Sequence, residues 1–248
     1  MLAGPRRRAR ALLGAAVLVA GACGGGADPG AAPSPDPHPT TQSAPAPAED
    51  APAPADPRFE ARIVPVPAEV RARMDGRSMR PDCPVGYDAL RYVTLSHHDF
   101  EGGVRTGELV VHAAVAGAVV EVFRTLFAEG FPIRRMALVD DFDADDFASI
   151  EADNTSAFNC RRNRGAPGWS DHSWGWAIDL NPIENPFITA EGTTYHPASE
   201  PYLDRSRDAS GVILADGPVV EAFAEVGWSW GGAWRPEPDT QHLSLTGR

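Results

Sequence analysis

Apolar residues recur at helical spacing in several stretches of this chain. The clearest stretch predicts a helix from His112 to Glu129, ended by Gly130; its apolar positions are Val115, Val119, Val122, Phe123, Leu126 and Phe127. Residues Pro218–Val226 show a shorter version of the same pattern, and Glu69–Met74 indicates one more short helix. These segments provide the helical layer of the predicted fold.

Other stretches have the β-branched and aromatic composition that is typical of strands. Leu90–Leu95 and Glu108–Val111 flank a Gly102-Gly103 break and predict a hairpin, beside an extended edge piece at Ile63–Pro67. Pro132–Val139 also predicts a strand. The elements together predict an α+β fold: a single domain with a small antiparallel sheet flanked by helices.

The first 57 residues have a different composition. Residues 1–23 predict a lipoprotein-type signal peptide, with a basic Arg6–Arg10 region and an apolar run too short to span a bilayer. The run ends in small residues before Cys23, which resembles a bacterial lipobox and makes Cys23 the expected lipidation site; an ordinary cleaved signal is the alternative. Residues 24–57 are rich in Pro and Ala and predict a disordered linker. The folded domain is expected at 58–248.

The charge of the chain excludes some partners. Its 34 acidic residues exceed its 22 basic residues, all arginine, and give a net charge of -12. Such a surface repels nucleic acid and anionic lipid. We therefore expect no nucleic-acid partner, and contact with a membrane only through a lipid anchor at Cys23.

The stretch from Ser170 to Asn181 contains a histidine and a carboxylate seven positions apart. In a strand, Gly175, Ala177 and Asp179 would share one face, and the two small residues would leave space beside Asp179. His172 lies just upstream, so the pair predicts half of a zinc site. A buried strand with a capping Asp and a structural His is the alternative interpretation.

The C-terminal segment offers the rest of such a site. A catalytic zinc commonly has three protein ligands and an open position for water, and His242 would complete the set with His172 and Asp179. Asp239, three residues before His242, would accept a proton from water as general base. One zinc ion is the expected cofactor.

These residues resemble the M15 family of zinc D-alanyl-D-alanine carboxypeptidases. The resemblance rests on Ser170-x-His172-x-x-Gly175-x-Ala177-x-Asp179, on Asp239-x-x-His242, and on the stretch Ala152–Arg161. It implies a Hedgehog/DD-peptidase-like fold, zinc held by the two His and the Asp, and Asp239 as base. It also implies that Arg161 polarises the scissile carbonyl. Relatives usually follow the last ligand with Phe-Glu, whereas this chain has Leu243 and Ser244.

Several residues near the motif are candidates for supporting roles. Ser170, Trp174 and Trp230 are expected to contact substrate, with hydrophobic core as the alternative for the tryptophans. Cys83 and Cys160 form an even pair, which outside the cytoplasm indicates a disulfide.

The remaining histidines and acids lead to more modest expectations. His97, His98, His112 and His196 are interpreted as non-ligands, although His196 could line the substrate groove. The acidic run at 140–146 is interpreted as a solvated loop.

The function hypothesis is hydrolysis of peptidoglycan stem peptides by a lipid-anchored, extracytoplasmic zinc D,D-carboxypeptidase. Two alternatives stay open: a non-catalytic wall-binding lipoprotein that keeps the peptidase fold, and an endopeptidase for an L-Ala–D-Glu bond.

Overall fold

A computed structural model describes residues 58–164, 167–206 and 209–247, which lie in one compact unit, Ala53–Arg248. It has four α-helices in these residues: α1 (Ala68–Met74), α2 (Ala116–Ala128), α3 (Asp146–Glu151) and α4 (Pro218–Glu225). The strands in the same residues are β1 (Ala61–Pro65), β2 (Leu90–His98), β3 (Val104–His112), β4 (Arg135–Met136), β5 (Asn154–Thr155), β6 (Ala177–Asp179), β7 (Ser229–Trp230) and β8 (His242–Ser244). The expected signal peptide, Cys23 and the linker lie outside the described residues.

The largest sheet is antiparallel and has the order β1-β2-β3. The predicted hairpin is confirmed, and both of its strands are longer than expected: Leu90 pairs with His112 at one end and His98 with Val104 at the other. Strand β1 is the predicted edge piece and pairs with β2 alone.

Helix α2 packs against this sheet and forms the main hydrophobic core. Its inward residues Val119, Phe123 and Leu126 are almost fully buried, and Val93 and Leu109 meet them from the sheet. The predicted start of this helix at His112 is wrong. His112 is the last residue of β3, and its backbone N–H donates to the Gly175 carbonyl instead of entering a helix.

The segment Pro132–Val139 forms much less strand than expected. Its one strand among the described residues is Arg135–Met136, which pairs in parallel with β5, and Pro132 forms an isolated bridge with His98. The Asn154 side chain forms hydrogen bonds with both backbone groups of Ala137: it accepts from the N–H and donates to the carbonyl. These groups are then not free to pair with another strand, so the pairing of β4 with β5 ends at Met136.

The interpretation of 140–146 as a solvated loop is wrong for Asp140. Its carboxylate is buried and accepts hydrogen bonds from the backbone and hydroxyl of Ser78. Asp145 also has a structural role, because it caps the N-terminus of α3 through the Phe147 and Ala148 N–H groups.

A second small sheet, ordered β6-β8-β7, lies at the C-terminal half of the motif. Gly175 does not share a strand face with Ala177 and Asp179, because it ends a short 3-10 helix with a φ of 69°. A Cβ at this position would lie 2.6 Å from the backbone nitrogen of His112. Gly175 therefore provides a tight turn and a close approach to β3, and the open strand face that we expected is absent at this residue.

The described residues confirm a mixed α+β domain with small antiparallel sheets and few helices. None of the helices in this part of the chain is long and apolar enough to cross a membrane.

A buried pair of acids, Asp153 and Glu184, lies close to Arg134. Glu184 is 3% exposed, and Arg134 lies 4.0 Å from its Oε1 atom and 3.6 Å from Asp153 Oδ2. Burial, together with the charge of Asp153 and a hydrogen bond to it, raises the pKa of Glu184 to about 8. The carboxyl of Glu184 is therefore protonated in the folded chain at pH values where it ionises in the unfolded chain.

We expect the folded state to lose stability as pH rises through this range. Because the pKa of Glu184 is higher in the folded chain, its protonated carboxyl contributes to the stability of the folded state. This contribution is fully present below the unfolded pKa of about 4.3 and is lost as pH approaches 8. Chemical denaturation should show a smaller fall in the free energy of unfolding between pH 5 and 8 for Glu184→Gln than for wild type. Glu225→Gln, at an exposed position, is the control and should retain the wild-type slope.

Candidate metal centre and cleft

Three side chains converge beside strands β6 and β8 of the second sheet. The ligand atoms of His172, Asp179 and His242 all lie within 4.8 Å of one another, and all three residues are buried. His172 Nε2 is 3.2 Å from Asp179 Oδ2 and 3.3 Å from His242 Nδ1, which is 3.1 Å from Asp179 Oδ1. Two atoms bound to one zinc at about 2.0–2.1 Å with tetrahedral angles are about 3.3 Å apart. The spacing therefore fits a single metal ion.

His172 is held by a short 3-10 helix, Asp171–Trp174. The Ser170 side chain accepts from the His172 N–H at its start, and Gly175 ends it. The imidazole Nδ1 lies 2.6 Å from the Ala157 carbonyl oxygen, to which it can only donate. This bond fixes the tautomer, so the lone pair of Nε2 is directed towards Asp179 and His242.

The other two candidate ligands are placed by strand pairing. Strands β6 and β8 are antiparallel, and their register puts Asp179 directly opposite His242. Directly opposed side chains lie on the same face with Cβ atoms about 4.5–5.5 Å apart. Ser156 pairs with Asp179 on its other side, and the two residues exchange backbone hydrogen bonds.

The three candidate ligands, His172, Asp179 and His242, require a positive charge between them. Burial alone would raise the pKa of Asp179, but the imidazoles of His172 and His242 outweigh burial and hold it well below the usual range. The lone pairs of an ionised Asp179 and of His172 Nε2 are then directed at each other across 3.2 Å. A shared proton or a cation must lie between them, and two imidazoles with one carboxylate are suitable zinc ligands.

Asp239 lies beside this cluster. It is partly buried, and its Oδ1 atom has no hydrogen-bond partner among the described residues. Burial, together with the negative charge of Asp179, raises the pKa of Asp239 to about 6, against opposing effects of His242, His172 and Arg161. A carboxyl group with a pKa near neutrality can both accept and release a proton.

Arg161 approaches the cluster from another loop. Its backbone N–H donates to the Ser173 hydroxyl, and Ser173 donates to the Arg161 carbonyl, so the arginine is fixed to the loop that holds His172. The preceding residue, Cys160, forms a disulfide with Cys83. The guanidinium Nη2 lies 3.3 Å from Asp146 Oδ2, and Nε is buried without a partner among the described residues.

All of these groups line one cleft with a volume of about 1280 Å³. Ser170 also lines it, as expected for a substrate contact. Phe147, Tyr195 and His196 form part of the wall on the side of Asp146. The volume exceeds the roughly 300–1,000 Å³ of a common small-molecule pocket and accommodates several peptide residues.

The two tryptophans that we expected at the substrate site lie elsewhere. Neither Trp174 nor Trp230 is among the described residues that line the cleft. Trp174 stacks on Trp176, and Trp230 packs against the core and donates its indole N–H to the Thr240 carbonyl. The tryptophan in the cleft lining is Trp234, whose ring lies 5.3 Å from that of His242.

The four other histidines in the described residues lie outside the metal cluster. His97 is buried within β2, His98 stacks on Phe127, and the ring of His112 meets Trp176 edge to face. His196 lines the cleft, in agreement with the sequence expectation.

Two features of the site were missed from sequence. Asp146, within the acidic run, contacts the guanidinium of Arg161. Gly231, after the Trp228–Trp230 segment, leaves no room for a Cβ because its backbone packs against Asp239. The Gly231-Gly232 pair was the available signal for a close backbone approach.

Residues 164–245 match the model of a family described as D-alanyl-D-alanine carboxypeptidase, within the M15 peptidases. The matched segment contains His172, Asp179, Asp239 and His242, whereas Arg161 lies just before it. This match supports the prediction of an M15 family peptidase. At the level of the family, the match supports a peptidase that acts on cell-wall peptides. Neither curated proteins nor solved structures gave a match.

We expect Gly231→Ala to destabilise the protein. The added Cβ would lie 2.7 Å from the Asp239 carbonyl oxygen and 3.2 Å from the His242 Cβ, so the C-terminal segment must move. Overpacking of this kind typically costs about 1–3 kcal/mol, which denaturant unfolding would measure. Gly117→Ala is the matched control: it lies in α2 with nothing within 4 Å of the added methyl, and should be neutral or stabilising.

Proposed function

We propose that this chain is a zinc-dependent D-alanyl-D-alanine carboxypeptidase that hydrolyses peptidoglycan stem peptides. The observation that carries the proposal is the convergence of His172, Asp179 and His242 in a peptide-sized cleft, with Asp239 and Arg161 beside them. The M15 family match over this segment adds independent support.

The three ligands account for the proposed cofactor. His172 Nε2, His242 Nδ1 and an Asp179 oxygen would hold one zinc ion, and Asp179 would offset half of its charge. A zinc ion bound there supplies Lewis-acid activation of water and of the scissile carbonyl. Three protein ligands also favour a catalytic ion, since structural zinc sites usually have four.

Asp239 would carry the proton. Its ionised carboxylate accepts a proton from the attacking water and then donates it to the amine of the departing D-alanine. Burial and the nearby Asp179 raise the pKa of Asp239, which brings its proton affinity closer to that of its reaction partners. General acid–base catalysis of this kind typically contributes about 10²–10⁴-fold.

Arg161 would bind the scissile carbonyl oxygen through its guanidinium and stabilise the negative charge that develops there. The backbone clamp to Ser173 and the ion pair with Asp146 hold it in place before substrate binds. Loss of one such donor typically lowers kcat by about 10²–10³-fold. Ser170, which lines the cleft, is proposed to contact the substrate.

The cleft volume favours one second candidate, an endopeptidase for an L-Ala–D-Glu bond. A space of about 1280 Å³ accommodates residues on both sides of a scissile bond. The non-catalytic alternative draws on Leu243 and Ser244, which stand where relatives usually have Phe-Glu. Leu243 is fully buried in the core of the described domain, and the Ser244 hydroxyl accepts from the Gly247 N–H, so these residues serve packing while the proposed catalytic groups remain.

We propose further that the domain has a Hedgehog/DD-peptidase-like fold and acts outside the cytoplasm. The basic and apolar start of the chain, Cys23 and the Pro/Ala-rich stretch support export, lipid anchoring to the bacterial membrane and a tether. Palmitate labelling of wild type and Cys23→Ser would test the anchor.

We expect the wild-type domain to bind one zinc ion per chain and to melt at a higher temperature when zinc is present. Binding to the folded state alone stabilises it by mass action. His172→Gln should weaken zinc binding by more than about 100-fold, since it removes one of three ligands. His98→Gln is the matched control, because His98 stacks on Phe127 away from the cluster. Equal zinc affinity in both variants, measured by calorimetry, would contradict the proposed ligand set.

We expect Asp239→Asn to retain zinc and lose about 10²–10⁴-fold in kcat on a stem peptide ending in D-Ala-D-Ala. Mass spectrometry of the products would report release of D-alanine and locate the bond that is cut. Glu237→Gln removes a neighbouring carboxylate of the cleft and should retain activity within a few-fold. A zinc-loaded wild type that cleaves none of the stem peptides would refute the enzymatic proposal.

A further inference from the structure

The wall of the cleft on the side of α3 contains polar groups that the proposed chemistry does not use. Arg164 and His196 both line this wall, together with Phe147 and Asp146. Neither Arg164 nor His196 belongs to the metal cluster.

The first observation is an excess of positive charge. Arg164 Nη2 lies 3.2 Å from Asp146 Oδ2, and Arg161 Nη2 lies 3.3 Å from the same oxygen. One carboxylate therefore faces two guanidinium groups. The Arg164 side chain is 60% exposed, so much of its fork is open to the cleft and to solvent. This local excess is notable in a chain with a net charge of -12.

The second observation is an unused polar atom on a buried ring. His196 is 7% exposed, and its ring packs on Phe147 at 4.2 Å. Its Nδ1 atom is buried and has no hydrogen-bond partner among the described residues. Burial lowers the pKa of His196, which favours a neutral imidazole with one N–H to donate. An unpaired buried nitrogen is costly unless a ligand satisfies it.

We propose that Arg164 and His196 form a carboxylate-binding subsite next to Arg161, and that the substrate carries a free carboxylate which this subsite recognises. The planar guanidinium matches a carboxylate, and the imidazole N–H adds a directed donor. The inference rests on the proposed peptidase function and specifies which substrates that peptidase prefers.

A stem peptide offers this chemistry in two places. One is the terminal carboxylate of D-alanine, which lies a few bonds from the scissile carbonyl of a carboxypeptidase substrate. The other is the free carboxylate of the D-Glu residue. Arg164 and Arg161 share Asp146, so the subsite adjoins the position proposed for the scissile carbonyl. Both sources are tested below.

The experiment compares three peptides with zinc-loaded enzyme. The parent peptide has both carboxylates free; the second has a C-terminal amide; the third has an amide on its D-Glu residue. We expect wild type to lose about 10- to 100-fold in kcat/KM on one amidated peptide, and that peptide identifies the source. Arg164→Gln should lose a similar factor on the parent peptide and little more on that amidated one.

Two further variants make the comparison specific. His196→Phe keeps an aromatic ring against Phe147 and removes the N–H. It should therefore reduce the preference for the free over the amidated carboxylate, but less than Arg164→Gln does. Arg162→Gln removes an equal charge from a neighbouring arginine whose guanidinium lies over the Trp169 ring, 3.7 Å from its centroid. Arg162→Gln should retain the wild-type preference for the free over the amidated carboxylate.

The subsite is refuted if wild type treats the three peptides alike, or if Arg164→Gln lowers the rate on all three by one factor. A wild type without turnover would refute the peptidase proposal but not this one. Calorimetric binding of the same peptides then decides: a preference for the free carboxylate that Arg164→Gln removes supports the subsite, and equal affinities overturn it.

Discussion

The pairing of β6 with β8 is the constraint on which the candidate site depends. Asp179 and His242 are 63 residues apart in sequence, and the antiparallel register makes them direct neighbours. A shift of one residue would turn His242 to the other face, where the fully buried Leu243 now packs. The hydrophobic core thus fixes the register, and the register fixes the distance between two candidate ligands. The candidate metal site therefore derives its geometry from the burial of apolar residues.

His172 and Arg161 join this frame through backbone contacts. The Ser173 hydroxyl links the 3-10 helix of His172 to the backbone of Arg161, and the Gly175 carbonyl links the same helix to His112 at the end of β3. The Ser173 hydroxyl and the Gly175 carbonyl therefore connect the segment that holds His172 to Arg161 and to β3. Because each link is a short hydrogen bond between buried or half-buried atoms, the relative positions of ligand and arginine are set before substrate binds.

The sequence was most informative where chemistry and periodicity coincide. The helical spacing of apolar residues identified the core helix α2. The sequence pattern around His172, Asp179 and His242 identified a group of residues that the structure brings together. It was less informative where tertiary contacts decide: the side chain of Asn154 ends the strand at Arg135–Met136, and Ser78 draws Asp140 into the interior. Trp174 and Trp230 adjoin the motif in sequence, yet a polar or aromatic partner outside the cleft fixes each of them. Proximity in sequence did not reveal the direction of either ring.

The charge distribution in the cleft also bears on specificity. Asp179 and Asp239 place negative charge at the candidate metal site, whereas Arg161 and Arg164 share the single carboxylate of Asp146 in the cleft lining. A peptide with a free carboxylate near its scissile bond would be attracted to Arg161 and Arg164 and repelled by the carboxylates of Asp179 and Asp239. Metal binding would remove that repulsion, so the bound ion and the two arginines would favour the same orientation of the substrate. The proposed subsite therefore favours an acidic peptide as the substrate.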